Sequence, residues 1–294
     1  MQAFVAVVDT GSFVAAADRM GCAKGVLSKL MMDLEKSLGA RLLNRTTRRL
    51  SLTATGTDYL LRCRQILDDV REANSMASAT TQQVSGRLKI NAPLTFGNLH
   101  LAPLWGEFLR LHPQVELDIS LTDRVVDLVD EGYDLAVRIT RLADSQLIAR
   151  KLASDRMRVC AAPGYLSRSQ PIVQVQDLCE HNVAAYAWWS GGDVWSFEGL
   201  NGKGSQSVTT RPRLRTNSGD TCRAAAIAEQ GVIFQPGFLV GPDIRAGLLQ
   251  EVLPGWQGPL LDIYAVYPSQ RHLPGKVRAM VDFLVDAFKQ PGWY

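Results

Sequence analysis

Lys24, Ser28 and Lys29 share one arc of a short amphipathic run, with Ala23 and Gly25 beside them at its start. A cationic, hydrogen-bonding arc of this kind can approach phosphates and base edges. A solvated surface face would look much the same. The next residues separate the two readings. Arg41, Arg45, Arg48 and Arg49 fall within nine residues that contain no acid, with Thr46 and Thr47 between them. Core packing has no use for such a cluster, so the pattern points to a nucleic-acid surface.

The flanking residues predict how this chemistry is positioned. Ser12 is a helix N-cap, followed by Phe13, Ala16, Ala17 and Met20 at helical spacing. Gly21 breaks the helix, because glycine reaches positive φ without a Cβ clash. A second run places Leu27, Met31, Leu34 and Leu38 on one stripe, and Gly39 ends it. Two short helices around a glycine turn predict a helix-turn-helix whose second helix enters the major groove. LLNRTTRRLSLT alternates as a short hairpin, a wing that presents arginines to the DNA backbone or minor groove. Charge agrees with this. Residues 1–64 hold ten Lys/Arg against five Asp/Glu, so the chain's net +3 hides a basic head on a slightly acidic body.

From Ala54 to about Gln83, Tyr59, Cys63, Ile66, Val70, Ala73 and Ala77 are spaced alternately by four and three residues, a heptad seam. Such a stripe either packs on its own domain or pairs with a second chain, and Ser85-Gly86 reads as the break after it. Beyond lie strands expected at 88–92, 115–121, 134–139, 147–152, 157–162, 183–186, 213–216, 232–235 and 261–267. Helices are expected at 96–111, 125–131, 220–229 and 276–288. Strands alternating with helices argue for an α/β body with a mostly parallel sheet.

The head and linker together resemble the LysR-type transcriptional regulators. The resemblance rests on Leu34-Glu35, Leu38-Gly39, Leu42, Arg45-Thr46, Leu52-Thr53 and Gly56, within AAADRMG…VLSKLMMDLEKSLGARLLNRTTRRLSLTATG. A looser likeness runs to the C-terminus. Cys22-Ala23 departs from that family's β-branched residue and serine, and Gly25-Val26 from its small helix formers. The chain also starts almost at the first helix, Met1-Gln2-Ala3-Phe4, whereas relatives carry a few residues upstream.

The resemblance implies an N-terminal all-α winged helix-turn-helix (1–53) with a long linker and dimerisation helix (54–84). A C-terminal α/β two-lobed effector domain (85–294), like type 2 periplasmic binding proteins, would follow. Lobe I would comprise about 87–162 and 267–294, lobe II about 163–266, with crossings near Ala162-Pro163 and Val266-Tyr267. Promoter DNA and further copies of the chain, as a dimer or tetramer, are the implied partners. RNA polymerase is a candidate third. No membrane partner and no cofactor beyond a small-molecule effector are expected.

In such bodies ligands gather at strand C-termini and helix N-termini. Thr95, Phe96 and Gly97 follow the first strand and start a helix, while Asn217 and Ser218 precede another. Arg138, on a strand with Thr140 two residues on, needs a carboxylate partner such as Asp134 or Asp123, or else faces the cleft. Trp188, with Trp189 and Trp195 nearby, offers an indole to an aromatic ligand. An organic or aromatic acid is the expected effector.

Five scattered cysteines without CxxC, and four scattered histidines without metal spacing, predict reduced thiols in the cytoplasm and no metal site. No nucleophile elbow, P-loop or dinucleotide fingerprint supports an enzyme. An exported solute-binding protein would suit the body but not the basic head, and the chain shows no leader.

Overall fold

The computed structural model describes residues 1–45, 50–77, 84–140, 147–202, 204–269 and 273–293. It divides into two compact units, Met1–Arg87 and Leu88–Tyr294.

In the first unit, helices α1 (Gln2–Thr10), α2 (Phe13–Arg19) and α3 (Lys24–Leu38) precede the strands β1 (Leu43–Arg45) and β2 (Leu50–Leu52), and α4 (Ala54–Ala77) follows. The Ser12 hydroxyl accepts from the Val14 and Ala15 amides at the start of α2. Gly21 and Gly39 both take φ 64°, ending α2's turn and α3 as their types predict. Phe4, Val7, Ala16, Leu27, Met31 and Leu42 form the buried core. β1 and β2 pair antiparallel, Leu43 opposite Leu52 and Arg45 opposite Leu50, which is the predicted hairpin. Its tip, with Thr46, Thr47, Arg48 and Arg49, lies outside the described residues.

The second unit opens with β3 (Ser85–Ala92), α5 (Leu94–Phe96), a π-helical turn (Gly97–Leu101) and α6 (Ala102–Leu111). Then come β4 (Gln114–Leu121), β5 (Leu135–Ile139), β6 (Leu147–Ala161) and α7 (Pro163–Arg168). β7 (Val183–Tyr186), β8 (Val194–Gly199), β9 (Ser205–Thr209) and β10 (Pro212–Thr216) follow. α8 (Gly219–Ile227), β11 (Ile233–Pro236), α9 (Gly237–Arg245), β12 (Gln250–Glu251), β13 (Trp256–Gln257), β14 (Leu260–Pro268) and α10 (Gly275–Ala287) complete it. The main sheet runs β11-β6-β14-β5-β3-β4, with β12 also on β6. β10-β7 and β13-β8-β9 form separate smaller sheets.

Several expectations change. The sheet is mixed: β3 and β5 are parallel, but β14 runs antiparallel to both β5 and β6, and β11 antiparallel to β6. The strands expected at 147–152 and 157–162 are one strand, β6, which exchanges partners part-way. Residues up to Arg156 pair with β14, and those from Met157 with β11 and β12. The crossings between halves therefore lie at Arg156/Met157 and just before Leu260, not near Ala162 and Val266. Asp155, almost fully buried, marks this place. Its carboxylate accepts from the Phe238 amide (2.5 Å) and the Arg156 amide (2.7 Å), which ties the start of α9 to the crossing. Burial raises its pKa, and those two amides oppose the rise.

The helix expected at 125–131 is a series of turns, because Asp127 accepts from the Val129 and Asp130 amides and draws them from a helical ladder. Ser85 and Gly86 begin β3 instead of breaking the chain before it.

Candidate nucleic-acid interface and interlobe site

On α3, Leu27 and Met31 face the core, Leu34 is half-buried and Leu38 is exposed. The opposite arc is open: Ala23, Lys24, Gly25 and Lys29 are exposed, and Ser28 is half-buried beside them. Ala23 is the α3 N-cap and supplies no side-chain acceptor. The Glu35 carboxylate accepts from the Leu42 and Leu43 amides (2.8 and 3.1 Å), fixing the wing's first strand to the reading helix. The Thr53 hydroxyl donates to the Arg41 carbonyl (2.7 Å) and accepts from the Gly56 amide (2.9 Å). A Cβ at Gly56 would run into the Leu42 carbonyl, so only glycine lets α4 start this close to the wing. Arg45 has its backbone in β1, and its side chain lies outside the described residues.

The heptad stripe divides in two. Tyr59 packs on Phe4 (ring centroids 5.7 Å apart) and Cys63 is fully buried, so both belong to the head's own core rather than to a seam between chains. Further along the same stripe Ile66 and Val70 are 42 % and 48 % exposed. The side chains of Ala73 and Ala77 lie outside those described.

In the second unit two helix starts meet. The Thr95 hydroxyl, at α5, lies 2.5 Å from an Asp220 carboxylate oxygen in the first turn of α8. Ser218 caps α8 by accepting from the Thr221 amide (3.2 Å), and Asp123 accepts from the Leu94 amide (2.9 Å) at α5. Tyr186, at the end of β7, neighbours Asp123, and burial together with that carboxylate pushes its phenol up. Gln235 is buried, with its Nε2 lacking a partner, and its Oε1 lies beside Gly219. Arg223 pairs with the buried Asp243 and holds α8 to α9.

The predicted effector residues separate accordingly. Thr95 and Ser218 lie at this meeting, and Asn217 is exposed just before Ser218. Phe96 does not line a site. It is wholly buried, ringed by His100, Phe238, Phe288 and Trp293 with centroids 5.2 to 5.8 Å away. Gly97 is closed off by Leu121, where a Cβ would collide. Arg138 pairs with neither Asp134 nor Asp123. It donates to Asn91 Oδ1 (2.5 Å) and the Val126 carbonyl (3.4 Å), and burial lowers its pKa while Tyr133 and Glu131 oppose that. Thr140 is exposed at the end of β5, its amide donating to the Asp262 carbonyl (3.1 Å). Trp195 is core, stacked on Phe234 at 5.1 Å, and Trp189 meets the same ring, leaving Trp188 half-exposed.

Sequence reasoning missed Asp220, Gln235 and Tyr186. Asp220 stood at the very start of a predicted helix, a signal that was available. Gln235 ends a strand ahead of Pro236, where a polar side chain among apolar neighbours was the clue.

All five cysteines are free. Burial pushes the Cys160 thiol up and Cys222 to about 11, which leaves both protonated and poor nucleophiles. Among the described residues no helix is long and apolar enough to cross a membrane.

Comparison with known proteins agrees with this layout. Residues 1–57 match the bacterial regulatory helix-turn-helix protein model, lysR family, and residues 81–289 match the LysR substrate binding domain. The regulator PtxR of Pseudomonas aeruginosa is 37 % identical over 284 residues, covering 97 % of this chain and 90 % of that protein. The regulator YhjC of Escherichia coli is 35 % identical over 290 residues, covering 99 % and 97 %. The solved structure of CrgA, a LysR-type regulator from Neisseria meningitidis, superposes with a TM-score of 0.64 at 30 % identity, covering 98 % and 97 %. These relatives are named as transcriptional regulators, not enzymes. The chain belongs to the LysR-type family of DNA-binding transcriptional regulators, with an N-terminal helix-turn-helix and a C-terminal substrate-binding domain.

Proposed function

We propose that this regulator reads its promoter with two or four heads and adjusts that reading to a small organic acid held between the lobes of its body. The observation that carries the proposal is the meeting of two helix starts at Thr95 and Asp220. Helix N-termini attract anions, and here an internal carboxylate already occupies the position. An acid entering this place competes with Asp220 for the Thr95 hydroxyl, so it favours an arrangement of the lobes other than the one Asp220 holds. A tenfold preference between arrangements shifts their balance by about 1.4 kcal/mol, and a ligand without preference shifts nothing.

Ala23, Lys24, Gly25, Ser28 and Lys29 present the base-reading face, while Arg45, Thr46, Arg48 and Arg49 reach the DNA backbone or minor groove. Ile66 and Val70, continued by Ala73 and Ala77, form the seam between two copies of α4. The protein acts in the cytoplasm, with RNA polymerase as a candidate partner at the promoter.

A gel shift with DNA from immediately upstream of the gene tests the reading. Ser28→Ala or Lys24→Ala should relax base preference, losing about 1–3 kcal/mol of discrimination per base contact. Arg48→Ala with Arg49→Ala should instead weaken binding to all sequences and flatten its salt dependence. Wild-type binding by both classes of variant would refute the assignment of the head.

A further inference from the structure

Met32, on α3, is 54 % exposed, although its neighbour Met31 is wholly buried in the core of the head. A lone exposed apolar side chain is ordinary on a protein surface, so its placement is what matters. On a helix, the residues three and four positions away are the ones that adjoin a side chain. For Met32 these are Ser28 and Lys29 on one side, and Glu35 and Lys36 on the other. The Glu35 carboxylate is turned to the Leu42 and Leu43 amides of the wing. Met32 is thus flanked by two exposed lysines, Lys29 and Lys36, one turn beyond Ser28 on the open arc. Gly25, a further turn back, has open space around it and no side chain to hold α3 off a partner. Leu30 is 47 % exposed, but it stands two residues before Met32 and so on the other side of the helix.

The two lysines set the class of partner. An apolar side chain between ammonium groups suits a polyanion better than an apolar protein face, which would have to bury those charges. Among the donors and acceptors of its major groove, DNA presents one apolar group, the thymine 5-methyl. A methionine thioether donates no hydrogen bond and accepts only weakly, so it gains little from the donor and acceptor pattern of the base edges. Its unbranched, polarizable chain does adapt its shape to a methyl group. With α3 placed in the major groove as proposed above, on which this rests, we infer that Met32 reads a thymine methyl in each half-site. It adds an apolar specificity contact to the polar ones made by Lys24, Ser28 and Lys29.

The test uses the full-length chain and a duplex that it selects from a library of random sequence. Each thymine of that duplex is replaced in turn by deoxyuridine, which lacks only the 5-methyl, and affinity is read by fluorescence anisotropy at fixed salt. At one thymine in each half-site the replacement should weaken wild-type binding about fourfold, the effect of one buried methyl group. Met32→Ala, on an exposed helical position where alanine is well tolerated, should bind the two duplexes equally. Leu30→Ala, from the other side of α3, should keep the wild-type loss. Uracil without effect at every position, or a Met32→Ala protein that still loses fourfold, would overturn the inference. A Lys24→Ala protein with altered binding beside such a Met32→Ala result would overturn it alone, whereas wild-type binding by both variants would also overturn the placing of α3. A Met32→Ala protein whose oligomeric mass changes while its methyl dependence stays would assign the residue to a contact between chains instead.

Discussion

The head and the body treat their polar groups in opposite ways. On α3, Lys24, Lys29 and the capless Ala23 face solvent, and on α4 Ile66 and Val70 extend a stripe that the head covers only as far as Cys63. In the body, Thr95 holds Asp220, Arg138 holds Asn91 and Arg223 holds Asp243. One region leaves its groups open for a partner from outside. The other closes them on each other, so a ligand there must displace a contact the protein already makes. A DNA reader works with the first arrangement and a sensor needs the second, because only an internal contact that can be exchanged makes binding change the shape.

The largest expected effect comes from closing off what the head leaves open. Replacing Ile66 and Val70 with aspartate places four charges in a two-chain seam and should split the oligomer in analytical ultracentrifugation. An unchanged mass for a folded variant would show that the stripe serves one chain only. Next in size is Gly56→Ala. The added Cβ meets the Leu42 backbone, which cannot swing aside, so the head should lose about 3 kcal/mol in urea unfolding. A wild-type midpoint would mean that α4 can shift away from the wing at no cost.

The internal packing of the body gives a smaller, pH-dependent effect. His100 sits among Phe96, Phe238 and Trp293, and burial lowers its pKa against a hydrogen bond to the Phe238 carbonyl. A folded pKa below the unfolded one leaves its stability contribution intact above about pH 6.5. That contribution is lost as pH falls from there through the folded value. Thermal denaturation should therefore show a melting temperature that declines on acidification below that point, and less steeply in His100→Gln. Equal slopes would remove His100 as a cause.

The smallest effect should come from supplying what α3 lacks. Ala23→Ser restores an N-cap acceptor, and Gly25→Ala fills open space in the first turn. Each should stabilise the head by about 1 kcal/mol. Loss of stability from either would show that the start of α3 is held in a way its backbone does not display.

The contrast between the regions also explains what could be read from sequence. The head was legible almost throughout, since Ser12, Gly21, Gly39 and the Leu27–Met31 stripe are local signals that name their own positions. The stripe on α4 was visible too, but its periodicity could not say where cover by Phe4 ends. In the body β4, β5, β7, β10, α8, β11, β14 and α10 were found within a residue or two, whereas α7, β8, β9, β12 and β13 left no readable signal. β6 was split because Ala153–Arg156 looks like a polar interruption, whereas it is the place where one strand exchanges partners. Phe96 and Thr95 are adjacent, yet one is core and one is at the interlobe meeting. That difference depends on residues far along the chain, Phe238 and Asp220. Pairings across 125 residues leave no periodic trace in sequence.

The exchange of Asp220 for a ligand carboxylate is the claim on which the sensor reading turns, and calorimetric titration of an acid found by thermal-shift screening tests it most directly. Asp220→Asn removes the competing charge and should tighten binding of the acid, while Thr95→Val removes the shared donor and should weaken it by about tenfold or more. Unchanged affinity in both variants would contradict the account and place the effector elsewhere in the body.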